Sequence, residues 1–477
     1  MKNHPAPGDG LQDVQVEPAK DDLLTVKEAA ILVGKTPSNI TYLIQYGRLK
    51  KYNRHGEVAK KVANGEMRVS KAELLEYFRS WDLRIQKRMS ELSISDLSLA
   101  FFDVAERDRT KHVHRLHPYL GKFIPQLVDY FLSKYFEPGQ TVIDPFCGSG
   151  TTLVQAAEMG INGVGVDISE FNTLMARAKL AHYDLPLLER EVSDITHKTV
   201  GFSHRKFDQK QSALILESES DMHPTEYLKT WFADQSLAEM FYFKSQIPNY
   251  HYQDLLKVLL SRTIRSCRLT THYELATPTK PVRGPYYCHK HNKTCEPVTT
   301  IIPRLKYYSQ DTVRRVEEFA RLRKPVESIV VEGDSRLVNL RKELPKDWLS
   351  EHKIAGIFSS PPYVGQIDYH EQHRYAYDLF GFKRRDELEV GPKSKGKGVK
   401  ARDAYVEGIS AVLTNMGKFI PEESKWFIVA NDKLSLYPEI FERAKLKLEE
   451  TFHRPVEART ERDKRPYSES IFYVKPA

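Results

Sequence analysis

Cysteine is scarce in this chain. Four in 477 residues are too few for a disulfide framework and point to a reducing compartment. No apolar run approaches the roughly 18 residues a membrane-spanning helix needs, and the N-terminus lacks an apolar signal core, so a cytoplasmic location without membrane contact is expected. A strong excess of one charge is also missing. The 72 basic and 64 acidic residues leave a net charge of +8, a mild bias toward a polyanionic partner. No internal repeat or collagen-like tract appears. What remains is a globular composition, 40% apolar and 29% charged, long enough for two or three domains.

Against that background two short segments stand out. In TVIDPFCGSGTT (141–152), Thr141, Val142 and Ile143 are strand formers, and Asp144 and Pro145 end the strand. Gly148 and Gly150 permit a tight turn and close ligand approach, and Thr151 and Thr152 open a helix that stops at Gly160. The next apolar strand, INGVGVDIS, ends on Asp167, about 20 residues beyond the glycines, where a carboxylate can accept from ribose hydroxyls. This is a βαβ nucleoside-binding unit, but the third glycine of the dinucleotide pattern GxGxxG is absent.

The second segment, SSPPY (359–363), follows the apolar strand IAGIFS. Two prolines fix φ and remove two backbone donors, leaving carbonyls free to face a ligand. Ser360 Oγ and the Pro361 carbonyl can accept the two hydrogens of an exocyclic amine, and Tyr363 offers a stacking face. No Pro-Cys nucleophile follows. Cys147 sits in the glycine turn instead and reads as a small packing residue.

Together these segments resemble the motifs of the S-adenosylmethionine-dependent DNA amino-methyltransferases, which commonly read DPFxGSGTT and [D/N/S]PP[Y/F/W]. The resemblance covers about 114–180 and 326–477. It implies an α/β fold with a class I methyltransferase, Rossmann-like seven-stranded sheet, S-adenosyl-L-methionine as cofactor, and double-stranded DNA as partner. By the same resemblance Asp144, Pro145, Phe146, Gly148, Gly150, Thr151, Thr152, Asp167 and Ile168 are cofactor residues. Lys122, Phe123 and Pro125 of HPYLGKFIP would pack near its methionine end, and Asp334 and Ser335 of VEGDS would meet its adenine. Ser360, Pro361, Pro362 and Tyr363 become the catalytic loop. Its serine form implies cytosine N4 over adenine N6, reached by extruding the base. The implied setting is a bacterial or phage restriction system with a cognate endonuclease, the enzyme acting as a monomer or homodimer. RNA base methylation and a non-catalytic regulator are the competing readings.

The rest of the chain divides by pattern. Residues 1–20 read as a disordered tail. Residues 21–81 resemble a helix-turn-helix with a wing. Thr25 caps its first helix, whose inner face uses Ala29, Ala30 and Leu32, and Ile40, Leu43 and Ile44 form the inner face of its second. Lys35, Ser38, Asn39 and Tyr42 would be the exposed readers, with Arg48, Lys50 and Lys51 on phosphates. Residues 82–110 read as a helical connector, 111–180 and 326–477 as the catalytic domain, in which YHEQHRYAYDLFGF (369–382) and PEIFERAKLKLEETF (438–452) read as one helix each, and 181–325 as an inserted helical subdomain that contributes target recognition. There Arg262, Arg265 and Arg268 share one helix face suited either to DNA or to salt bridges. The segment 383–402, with Lys393, Lys395 and Lys397, reads as a loop able to grip phosphates. No metal is assigned, and the cluster Cys267, Cys288, Cys295, His289 and His291 is left open between zinc and packed thiols, because its spacing is not a standard ligand set.

Overall fold

A computed structural model describes the chain except for residues 1–21, 36, 46, 60–61, 63–65, 92–97, 102–103, 105–109, 122, 208–222, 289–290 and 457–466. The expected disordered tail, Lys122 and His289 therefore lie outside the described residues. The chain separates into two compact units, Met1–Leu97 with Glu457–Tyr467, and Ser98–Val456 with Ser468–Ala477. Among the described residues no helix is long and apolar enough to cross a membrane.

The larger unit is built on a seven-stranded sheet. Its strands are β1 (Thr141–Asp144), β2 (Asn162–Asp167), β3 (Ser328–Glu332), β4 (Ile354–Ser359), β5 (Lys425–Ala430), β6 (Leu446–Val456) and β7 (Tyr467–Pro476). They lie in the order β6-β7-β5-β4-β1-β2-β3. Parallel pairing joins β3 to β2, β2 to β1, β1 to β4 and β4 to β5, and β7 runs antiparallel to β5. This is the doubly wound class I methyltransferase architecture that was expected. The central strands are buried nearly throughout, because helices cover both faces and alternation gives way to continuous Val, Ile and Phe.

One contact in this sheet tolerates only glycine. A Cβ on Gly356 of β4 would stand 1.8 Å from the Lys425 carbonyl oxygen of β5, and the register between β1 and β4 shifts beside it.

The helices flanking the glycine turn begin and end where their sequences direct. The helix α1 (Pro125–Tyr135) starts on a proline at its first turn, and α2 (Thr151–Met159) ends on left-handed Gly160. Helix α3 (Glu170–Leu180) is capped by Ser169, whose hydroxyl accepts from the Asn172 backbone. Two sequence expectations change. YHEQHRYAYDLFGF is broken at His373 into Tyr369–Gln372 and Arg374–Phe380. The segment expected to continue the helix of PEIFER is strand β6 instead. That helix stops at Arg443, Lys445 takes a positive φ of 54° and the chain turns back into the sheet.

The 181–325 insertion is helical as its pattern predicts, with Leu185–Phe207, Glu226–Trp231, Asp234–Gln246, Gln253–Arg265 and Ile302–Ala320. It is not a separate subdomain. Val192, Ile195, Met240, Leu256 and Phe319 share one buried cluster with Leu153, Phe171 and Leu174 of the catalytic fold.

In the smaller unit Thr25 forms the expected cap as a full capping box with Glu28. Ala29, Ala30, Ile40 and Ile44 are buried and Leu43 packs against them, but Leu32 is exposed. Strand Leu23–Thr25 pairs with Arg68–Ser70, and helix Lys71–Glu91 follows without a break at 82. The expected connector is thus not one element. Its Leu99 is buried in the larger unit against Phe131 and Phe136.

Candidate active site

Chain order reverses between β1 and β4. From β1 the sheet grows toward β2 and β3 on one side, and from β4 toward β5 on the other. The loops leaving the carboxyl ends of these neighbouring strands therefore part from each other and leave a crevice. The glycine turn leaves β1 and SSPPY leaves β4, so topology alone brings them together. A cleft of about 850 Å³, open mouth included, lies there.

Its floor is the glycine turn. Gly148 and Gly150 hold positive φ of 49° and 78°. A Cβ on Gly148 would meet the Tyr119 hydroxyl at 3.1 Å, and one on Gly150 would meet the Ala176 Cβ at 3.0 Å. The buried Lys179 ammonium donates to the Ser149 carbonyl at 2.6 Å and pins the turn from beneath. Asp167 Oδ2 accepts from Gly148 N at 2.9 Å, while Oδ1 accepts from Ser169 N at 2.9 Å and Asn172 Nδ2 at 3.1 Å. Burial raises the Asp167 carboxyl above its usual range and these donors work against that rise. With about four acceptor positions on a carboxylate, Oδ2 keeps room for one more donor.

Asp144 stands behind the cleft rather than in its wall. Its Oδ1 accepts from Ser359 Oγ at 2.6 Å and from Phe146 N at 3.1 Å, tying the two loops together at their roots. Burial pushes its carboxyl up to about 6, against the hydrogen bonds from Ser359 and Phe146. Thr152 is also internal, its hydroxyl donating to the Phe358 carbonyl at 3.3 Å. Gly150 and Pro125 are not among the cleft-lining residues either. Burial holds the Cys147 thiol well above its ordinary value, which accords with a packing role.

Of the expected cofactor residues, Phe123, Pro145, Phe146, Gly148, Thr151, Asp167, Ile168, Asp334 and Ser335 line the cleft. Ser335 Oγ donates to the Pro145 carbonyl at 2.6 Å, joining the loop after β3 to the glycine turn. Both Asp334 oxygens are engaged by the Arg336 guanidinium at 2.6–3.0 Å. Burial opposes the charge on Asp334, but Arg336 outweighs it and keeps the carboxyl below its usual range.

Ser360 and Pro362 also line the cleft, while Pro361 is buried and Tyr363 points elsewhere. The Tyr363 hydroxyl donates to Glu469 Oε1 at 3.1 Å, and Glu469 pairs with buried Arg454 at 2.5 Å.

The basic loop is better ordered than its composition suggests. Glu389, in its midst, is buried and accepts from the His370 backbone at 2.8 Å and from His370 Nδ1, anchoring Leu388, Glu389 and Val390 in the cleft wall. Gly365, just after the catalytic loop, donates to the Gly391 carbonyl at 2.9 Å. Arg384 and Arg385 are spent on Asp386, Glu371 and Glu332. Lys393, Lys395 and Lys397 are exposed beyond that anchor.

Motif reading missed Tyr119, Asn172, Tyr369, His370 and Glu389. Tyr119 and Asn172 flank recognised motifs, but nothing in the sequence flags Glu389 inside a basic run.

The arginine face corrects an expectation. Arg262 is buried, pairs with Asp311 at 2.7 Å and stacks on Tyr308 at 4.2 Å. Arg265 is half-buried, and burial lowers its pKa beside Tyr375 and Arg268. Arg262 is thus a packing residue rather than a surface contact for DNA, because the insertion shares the catalytic core. In the smaller unit Asn39 is exposed and Lys35 half-exposed. The side chains of Ser38 and Tyr42 lie outside the described residues.

Residues 18–177 match the family described as DNA methylase, the N6/N4 methyltransferases. Type II methyltransferase M.MjaII of Methanocaldococcus jannaschii is 42% identical, the alignment covering 97% of this chain and 98% of that protein. The chain belongs to the DNA amino-methyltransferase family. Type II methyltransferase M.BsoBI of Geobacillus stearothermophilus is 23% identical over 63% of this chain and 60% of its own. M.MvaI of Kocuria varians is 25% identical over 42% and 44%.

S-adenosylmethionine is the methyl donor of this amino-methyltransferase fold, and it brings an electrophilic methyl on a sulfonium. The cleft suits it. Ser149 Oγ and Asn172 Oδ1 are buried, polar and without partners among the described residues, and both line the cleft together with one open position on Asp167. The glycine backbone leaves room where any Cβ would crowd Tyr119.

Proposed function

We propose that this DNA methyltransferase is site-specific and modifies cytosine at N4 in duplex DNA, as the modification partner of a restriction system. The observation that carries the reading is Ser360 with Pro362 on the wall of the same cleft as Gly148 and Asp167. An exocyclic base amine is a weak nucleophile because its lone pair is delocalised into the ring. Ser360 Oγ and the Pro361 carbonyl accept its hydrogens, localise the lone pair and stabilise the positive charge that develops as nitrogen gains a methyl and then loses a proton. A neutral hydroxyl suffices where cytosine is the target. Tyr363 stands outside this cleft with its hydroxyl held by Glu469, so it braces the catalytic loop, and the stacking expected of its ring is not assigned to it.

Lys393, Lys395 and Lys397 hold phosphates beside the pocket, and Lys35, Ser38, Asn39 and Tyr42 read bases through the smaller unit. The relatives named above are Type II methyltransferases, which supports the restriction setting. The test is incubation of purified chain with labelled S-adenosylmethionine and duplex DNA, followed by chromatography of the digested nucleosides. N4-methylcytosine is expected. N6-methyladenine alone would overturn the base assignment, and label on RNA but not on DNA would overturn the substrate.

A further inference from the structure

Far along the chain from both motifs, between Leu269 and Ile301, the described residues contain almost no regular structure. There are only two strands of three residues, Tyr286–Cys288 and Lys293–Cys295, paired antiparallel with Tyr286 opposite Cys295 and Cys288 opposite Lys293. The buried apolar side chains strictly between Leu269 and Ile301 are Cys288 and Cys295 alone. A segment this long without its own apolar core needs another staple. No disulfide supplies it, since both cysteines are free.

The hairpin brings four metal-ligand side chains together. His272, Cys288, His291 and Cys295 each place a ligand atom so that all four lie within 4.8 Å of one another. His272 Nδ1 is 3.6 Å from Cys288 Sγ, and His291 Nδ1 is 3.4 Å from Cys295 Sγ. A tetrahedral zinc ion with Zn–S of about 2.3 Å and Zn–N of about 2.0 Å separates sulfur from nitrogen by about 3.5 Å. These two sulfur–nitrogen edges match that tetrahedron. Cys267 is not a member, being buried in the main apolar cluster, and His272 takes the place that the sequence left unfilled.

We propose that His272, Cys288, His291 and Cys295 form a structural zinc site that staples this segment onto itself, holding the hairpin to His272 at the segment's start. All four positions are taken by protein, so no site is left open for water or substrate, and the ion has a folding rather than a catalytic role. Binding converts both thiols to thiolates and releases their protons. Tyr286 completes the surround. Its hydroxyl now meets His272 Nδ1 at 2.7 Å, a bond the metal replaces, and it continues to accept from the His272 backbone N–H at 3.2 Å. The segment is tethered to the rest of the unit at its middle, by Val282 N to the Leu269 carbonyl at 2.9 Å and by Arg283 to the carbonyls of Lys229 and Thr230 at 3.2 and 3.3 Å.

The experiment is metal analysis of the full chain expressed in zinc-supplemented medium, with a chromophoric chelator reporting zinc released by a thiol-specific mercurial. One zinc per chain is expected. Cobalt exchanged into the site should show the thiolate charge-transfer and intense d–d bands of tetrahedral coordination. Cys267→Ser should keep the metal, while Cys288→Ser with Cys295→Ser should lose it. Less than about one-tenth of an ion per chain, or octahedral cobalt bands, would overturn the proposal, as would full zinc content in the double variant. The full-chain stoichiometry and cobalt spectrum decide the matter even where the double variant fails to fold.

Discussion

Replacing Asp144 by Asn should make the protein's stability less sensitive to pH. The Asp144 carboxyl titrates at about 6 in the folded chain against an ordinary 3.8, chiefly because it is buried. The sign follows from linkage. A carboxyl whose folded pKa is raised binds more protons folded than unfolded between those two values, so stability falls as pH rises through that window and is level above it. At about 1.4 kcal/mol per pH unit the full loss is ~3 kcal/mol, of which ~1.4 kcal/mol falls between pH 5 and pH 8. Asn keeps an oxygen for Ser359 Oγ and Phe146 N but carries no charge to bury. Whatever offset it shows at pH 5, its melting temperature relative to the parent should therefore climb by about 2 °C on going to pH 8. Differential scanning fluorimetry of both proteins across that range measures it. A difference that stays flat or falls with pH would refute the burial argument. Asp144→Ala should instead destabilise at every pH, because the Ser359 hydroxyl and the Phe146 N–H lose their acceptor at about 1–3 kcal/mol each, and its KM for S-adenosylmethionine should rise as both loop roots loosen.

Gly356→Ala should abolish soluble expression, since a Cβ 1.8 Å from the Lys425 oxygen cannot be housed without parting β4 from β5; a soluble, active variant would contradict the described pairing. Ser360→Ala should lower kcat by about a hundredfold, the scale of losing one preorganised contact to developing charge, while calorimetric affinity for S-adenosylmethionine stays within about twofold. Replacing Lys393, Lys395 and Lys397 together by Ala should weaken DNA binding and reduce the slope of log affinity against log salt by about 2.7 if all three meet phosphates; an unchanged slope would remove the loop from the interface.

How much was legible in the sequence varies with the range of the interaction. Strand formers ahead of the glycines, Pro125 at a first helical turn, Thr25 with Glu28 and the stop at Gly160 are local signals, and each element formed where its own residues direct. The exception arises where pairing with another strand overrides the local signal. The helix predicted over KLKLEETF is a strand because edge pairing beside β7 outweighs a helical propensity that is weak to begin with.

The sequence by itself determined the kind of chemistry, because a glycine turn and a proline-braced loop each specify a backbone shape through residues adjacent in the chain. Only the tertiary structure decided which side chains reach the cleft. Strand order put Ser360 beside Asp167 and withdrew Asp144 into the wall, and the buried Asp311 drew Arg262 away from any surface. It likewise gathered His272 to Cys288, His291 and Cys295. Burial and pairing between distant segments are properties of the packed core, and the charge pattern along a chain carries no record of which face turns inward.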